Sequence, residues 1–139
     1  MAMMPKRVKY RKVQRGKAHG KARGNNKLSF GDFGLQTVVM GRLTSQQLEA
    51  ARTAITRHMK RRGKLWIKVF PDKPFTKKPL ETRMGKGKGN LEDWVAVVKP
   101  GNMVLELSGC LESVARAALS RAASKLPMKC RMLSRHVAS

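Results

Sequence analysis

Residues 83–94 read RMGKGKGNLEDW, with glycine at 85, 87 and 89 and lysine at 86 and 88. Such alternation suits phosphate chemistry: glycine lets a backbone approach an anion closely, and ammonium groups balance its charge. A phosphate-binding P-loop needs G-x-x-x-x-G-K-[ST], because the Ser or Thr hydroxyl holds Mg²⁺. No such match exists here, since Gly89 is followed by Asn90. A dinucleotide fingerprint, G-x-G-x-x-G, fails at the same asparagine, where its third glycine belongs. Both motifs also open a helix, whereas this run leads into an apolar, strand-like segment. The run therefore supplies backbone freedom and point charge rather than catalysis. It reads as a flexible arm over 83–90 made by Arg83, Met84, Gly85, Lys86, Gly87, Lys88 and Gly89. Arg83 offers a planar fork to phosphate, and the two lysines offer compact charges.

Other chemistry has little to work with. An enzyme acting on RNA needs a general acid–base pair or a metal cluster. The acids are Asp32, Glu49, Asp72, Glu81, Glu92, Asp93, Glu106 and Glu112. Only Glu92 and Asp93 are adjacent, and a strand sends neighbours to opposite faces. His19, His58 and His136 are scattered, and neither Cys110 nor Cys130 has a Cys or His at zinc-ligand spacing. No catalytic residue, metal ligand set, cofactor or small-molecule substrate is expected.

Charge dominates the composition: 31 Lys and Arg face 8 Asp and Glu, for a net +23. A compact protein so charged repels itself and calls for a polyanionic partner, nucleic acid first. An anionic membrane surface is the second candidate; separately, no apolar run approaches the roughly 20 residues of a membrane span. The cations are concentrated. Residues 1–27 carry Lys6, Arg7, Lys9, Arg11, Lys12, Arg15, Lys17, Lys21, Arg23 and Lys27 without one acid. This segment has too little apolar surface to offset its ordering entropy alone. It is expected to be an extended tail, ordered when phosphates neutralise it. A second cluster, Arg57, Lys60, Arg61, Arg62 and Lys64, exceeds what a helix dipole requires. Aromatic residues are scarce and Trp66 and Trp94 sit in apolar runs, as core residues would. Phosphate, sugar and shape contacts should then prevail over base reading. Neutralising about 10 phosphates would give log K against log salt a slope on the order of −7 to −9.

These groups need a scaffold, which the sequence places over residues 28–139 as one α+β domain of about six strands and two helices. FGLQTVVM (33–40) alternates as a strand, with Phe33, Leu35, Thr37 and Val39 on one face. TSQQLEAARTAITRHMKRRG (44–63) reads as a helix capped by Thr44 and Gln47 and stopped by Gly63. Leu48, Ala51, Ile55 and Met59 form its apolar stripe. KLWIKVF (64–70) is a strand, Pro71, Pro74 and Pro79 mark an irregular connection, and LETRM (80–84) is a short strand. WVAVVK and MVLEL, joined by Pro100-Gly101-Asn102, read as a hairpin. A second helix runs from about Leu111 to Lys125 with Ala115, Leu119, Ala122 and Leu126 buried, and KCRML (129–133) is a last strand.

Together these residues resemble the family of the sixteenth protein of the bacterial large ribosomal subunit. KRRGKLWIKVFP (60–71) is similar to its basic-glycine-basic-apolar-tryptophan signature, and RMGKGKGNLEDW (83–94) to its second signature. MPKRVKYRKVQRG and GRLTSQQLEAARTAITRHMKRRGK are similar as well. The resemblance implies an α+β sandwich, often called a hammerhead. It implies binding to large-subunit ribosomal RNA near the peptidyl transferase centre, beside neighbouring large-subunit proteins, with the 83–89 arm directed to transfer RNA in the aminoacyl and peptidyl sites. It implies a cytoplasmic, ribosome-bound location in a bacterium, an organellar ribosome being the alternative. A DNA-compacting architectural protein would share the charge, but would show a dimer-forming apolar face or an intercalating wedge; neither is visible.

Overall fold

The structure, a computed structural model, describes residues 3–135. No helix or strand forms between Met3 and Asp32. From there the chain forms β1 (Phe33–Thr37), β2 (Gly41–Thr44), α1 (Ser45–His58), β3 (Lys64–Ile67), β4 (Lys73–Lys77), β5 (Asn90–Val98), β6 (Met103–Ser108), α2 (Glu112–Ala123) and β7 (Cys130–Ser134). Two antiparallel sheets result, in the orders β3-β6-β1-β7 and β2-β5-β4. The α+β class expected from sequence holds, with seven strands among the described residues.

One core joins both sheets to both helices. Leu48, Ala51 and Ile55 of α1 are buried together with Met59 at its C-cap, as are Ala115, Leu119 and Ala122 of α2 and Leu126 just beyond its end. The helices pack on each other and close over Leu35, Leu43, Val98 and Leu105. Each fully buried leucine contributes roughly 1.5–3 kcal/mol. The capping box forms as its sequence dictates: the Gln47 N–H donates to the Thr44 hydroxyl and the Thr44 N–H to the Gln47 side-chain oxygen at 3.0 Å.

Several local expectations are corrected. β1 stops at Thr37, and Val38, Val39 and Met40 are exposed. The chain must leave the first sheet there to enter β2, at a glycine whose added Cβ would lie 2.1 Å from the Met128 methyl. The 94–107 hairpin does not form as a pair of strands. A turn is present, with the Asn102 N–H donating to the Lys99 carbonyl at 3.1 Å. Yet β5 pairs with β2 and β4, while β6 pairs with β1 and β3. Pro100 followed by Gly101 at φ 100° is what a type II turn uses. That turn splays its flanking strands instead of matching their twist, so it passes the chain from one sheet to the other.

LETRM forms no strand. The strand lies earlier, where prolines suggested irregular chain: β4 holds Pro74 opposite Trp94. Because β4 is an edge, a residue without an N–H is tolerated in it. The register of β4 on β5 jumps between Phe75 and Thr76, so Glu92 is the extra residue of a bulge.

Candidate nucleic-acid interface

The sequence-predicted cations fall into three surface groups, each held by a different piece of backbone. The first lies just past α1, which ends at His58 and not near Gly63. Lys60 and Arg61 both take left-handed backbone, with φ of 52° and 62°. The Arg61 N–H reaches back to the Thr56 carbonyl at 3.1 Å and the Lys60 N–H to the Arg57 carbonyl at 3.2 Å. This is a Schellman motif with lysine where glycine is usual. Gly63 is needed for a different reason. A Cβ there would sit 2.4 Å from the Ser108 carbonyl oxygen, so it allows the chain to brush past the end of β6. The result is a knuckle from which Arg57, Lys60, Arg61, Arg62 and Lys64 are all exposed. Beside it lies a hollow of about 520 Å³ shared by Thr53, Thr56, Arg57 and Lys60. Arg52 on its rim is engaged with Glu49 through a two-pronged ion pair. The hydrogen bond from Arg52 holds the Glu49 carboxyl below its usual range.

The second group is the arm. Residues 83–88 are exposed throughout, Met84 almost completely at 99%. Gly85 and Gly87 have φ of 96° and 84°, with Lys86 between them at 60°. A Cβ on either glycine would touch nothing, so the demand is for backbone conformation. Gly89 differs: its Cβ would fall 2.7 Å from the Lys77 carbonyl carbon, where the arm's root crosses β4. The Lys78 ammonium donates to the Gly85 carbonyl at 2.6 Å and the Lys88 ammonium to the Val13 carbonyl at 2.5 Å.

The third group is the N-terminal segment. Lys6, Arg7, Lys9, Arg11, Lys12, Arg15, Lys17, Lys21 and Arg23 are all exposed. Residues 22–31 are sewn to β6 and its flanks. The Ala22 N–H donates to the Pro100 carbonyl at 2.9 Å, and the Met103 N–H to the Asn25 carbonyl at 2.8 Å. The Asn25 amide returns a bond to the Met103 carbonyl at 2.9 Å. Glu106 anchors residues 29–31. Fully buried, it accepts the N–H groups of Ser29, Phe30 and Gly31 at 3.1, 2.7 and 2.8 Å. The Lys68 ammonium stands 3.9 Å away. Burial pushes the Glu106 carboxyl up, but the three N–H groups and Lys68 outweigh it and leave the pKa lowered. In the sequence Glu106 stands only as one acid among the rest. Its signal was a carboxylate inside the apolar run MVLEL, which demands buried donors.

Phe30, raised by that nest of N–H groups, stacks on Trp66 at 6.0 Å and lies 4.4 Å from the Lys68 ammonium. Trp66 and Trp94 are half-buried. The strict alternation expected of Glu92 and Asp93 is broken by the β5 bulge, and both border one cavity of about 910 Å³ together with Glu49. Each of these acids is engaged: Glu49 by Arg52, Glu92 by Lys77 at 3.9 Å, and Asp93 by the Trp94 N–H at 2.7 Å. Cys110 and Cys130 are half-buried free thiols. Burial lifts both, Cys130 to about 11, and the charge of Asp32 adds to the effect at Cys110.

Among the described residues no group of three or more His, Cys, Asp and Glu is placed to hold a metal ion, and no helix is long and apolar enough to cross a membrane. His136 lies outside the described residues. Residues 5–133 match the model of a family described as ribosomal protein L16p/L10e.

Proposed function

This chain belongs to the ribosomal protein L16p/L10e family, and on that premise we propose that it binds large-subunit ribosomal RNA near the peptidyl transferase centre and touches transfer RNA through its arm. The family places it among the structural components of the large ribosomal subunit, a ribonucleoprotein that carries out translation, with ribosomal RNA and ribosomal proteins as partners. In the finer reading each basic group has a task. Lys6 to Arg23 and the knuckle from Arg57 to Lys64 take phosphates of ribosomal RNA, and Arg83 to Gly89 takes the body of transfer RNA in the aminoacyl and peptidyl sites. The protein performs no chemistry and carries no cofactor; it positions RNA.

One observation carries this reading. The ion pairs among the described residues are Arg52–Glu49, Lys68–Glu106, Lys77–Glu92 and Arg116–Glu112. None involves the tail, the knuckle or the arm. The cations of all three groups are thus exposed without a carboxylate partner inside the described residues, the condition in which phosphate oxygens are the strongest acceptors on offer. The arm is tested directly by ribosomes carrying Arg83→Ala with Lys86→Ala. Their subunits are expected to assemble normally while accommodating aminoacyl-tRNA more slowly. Normal selection and translocation rates would remove the arm from the list of transfer RNA contacts.

A further inference from the structure

We infer that the cleft between the N-terminal segment, β4 and the root of the arm is a seat for the sugar–phosphate backbone of a single RNA strand, and that this strand ties arm to tail. The inference deepens the proposed RNA-binding reading and rests on it. The cleft has a volume of about 570 Å³, and Arg15, Arg42, Lys73, Lys77, Lys78 and Lys88 line it. No acid lines it, and its floor is Pro74, Phe75 and Val95. Among the described residues only Lys77 of these cations has a carboxylate near, Glu92 at 3.9 Å, and both side chains of that pair are about half exposed.

The ammonium groups here show what they lack. Lys73 donates to the Arg15 carbonyl, Lys88 to the Val13 carbonyl and Lys78 to the Gly85 carbonyl, while Lys12 donates to the Lys88 carbonyl at 3.3 Å. A neutral carbonyl accepts the hydrogen bond but leaves the ammonium charge uncompensated, whereas a phosphate oxygen does both. Six cations around one cleft also raise its positive potential by mutual focusing. A chain of phosphates relieves both conditions, exchanging weak acceptors for charged ones without moving the floor. The geometry favours RNA over an acidic protein segment because the cleft is continuous with both the tail and the arm. Val13 and Arg15 of the tail and Lys88 and Gly89 of the arm all line it. All four carbonyl partners, those of Val13, Arg15, Gly85 and Lys88, belong to tail and arm. A strand bridging these lysines therefore holds the two segments in register.

The test measures the salt dependence of binding to protein-free large-subunit ribosomal RNA, using the full chain. Replacing Lys73, Lys77 and Lys78 together by Ala is expected to flatten the slope of log K against log salt by about 2 to 3. Replacing all three by Arg is expected to preserve it, which guards against mere loss of fold. A control with Lys99, Lys125 and Lys129 changed to Ala, exposed residues outside the cleft, is expected to change the slope by less than about 1. Equal flattening by both Ala triples would mean net charge alone is at work, and would overturn the cleft. So would an unchanged slope, or loss of affinity for a polyglutamate peptide without loss for RNA; in either case a steep slope for the native chain leaves the broader reading standing. A native chain that does not bind this RNA would overturn both.

Discussion

Among single residues, Glu106 shows how an apparent misfit becomes a joint. An acid in a fully buried strand would be costly if unpaired, yet three backbone N–H groups converge on it from residues 29–31. The carboxylate thereby fixes where the N-terminal segment meets the sheet, and lifts Phe30 onto Trp66. Its folded pKa is lowered, so its contribution is present above the pKa of the unfolded carboxyl and is lost as pH falls through the folded value. Glu106→Gln is expected to cost on the order of 1.5–3 kcal/mol near neutral pH. Thermal melts of native chain and variant should converge as the solution is made acidic. A gap that stayed constant from neutral to acid pH would show that the charge is not what matters. Sequence alone could not place this joint, because its donors lie more than 70 residues away along the chain.

Among the helices and strands, the legible features are the local ones. The Thr44–Gln47 cap and both helical stripes are written in spacings of three and four residues, and the structure bears them out. Sheet partners are decided by distant chain. Pro100-Gly101-Asn102 was readable as a turn, but its twist sends β5 and β6 to different sheets, which requires knowing what else each strand can pair with. Pro74 looked like a breaker because edge position cannot be seen from its neighbours. The end of α1 is more instructive. A basic run before glycine suggested that the helix continues to Gly63, whereas Lys60 and Arg61 accept left-handed backbone instead. Such conformations cost of order 1–3 kcal/mol and persist where the surrounding structure over-determines them. Lys60→Gly is therefore expected to stabilise the isolated protein slightly, by about 1 kcal/mol, as glycine's own entropy cost offsets part of the relief. The same change should weaken binding to ribosomal RNA and flatten its salt slope by about 0.7–0.9. Chemical denaturation and a salt titration check the two halves. A destabilised variant would show that the knuckle is not strained, and an unaltered slope would show that Lys60 meets no phosphate.

Across the molecule as a whole, a net +23 is borne by a fold whose core is ordinary. The two helices and two sheets bury one apolar cluster, and the surplus charge is displaced onto three projections. The charge surplus was visible in the sequence as an acid-free run over residues 1–27, though residues 22–31 are bound to β6 and its flanks, and the arm as a break between apolar runs. The way tail and arm meet over β4 was not visible, because it depends on lysine-to-carbonyl contacts across more than 50 residues. If the projecting cations exist to be neutralised by folded RNA, removing one projection must remove its share of the salt dependence. The decisive comparison sets the full chain beside a truncation lacking residues 1–21, which spares the Ala22 and Asn25 contacts to the turn and β6. The truncation removes Lys6, Arg7, Lys9, Arg11, Lys12, Arg15, Lys17 and Lys21. Binding of each to large-subunit ribosomal RNA is measured as salt is raised. A folded truncation is expected to give a slope shallower by several units, up to about 6–7 if every removed cation met a phosphate; a folded truncation with the slope of the full chain would contradict neutralisation by RNA as the purpose of the charge.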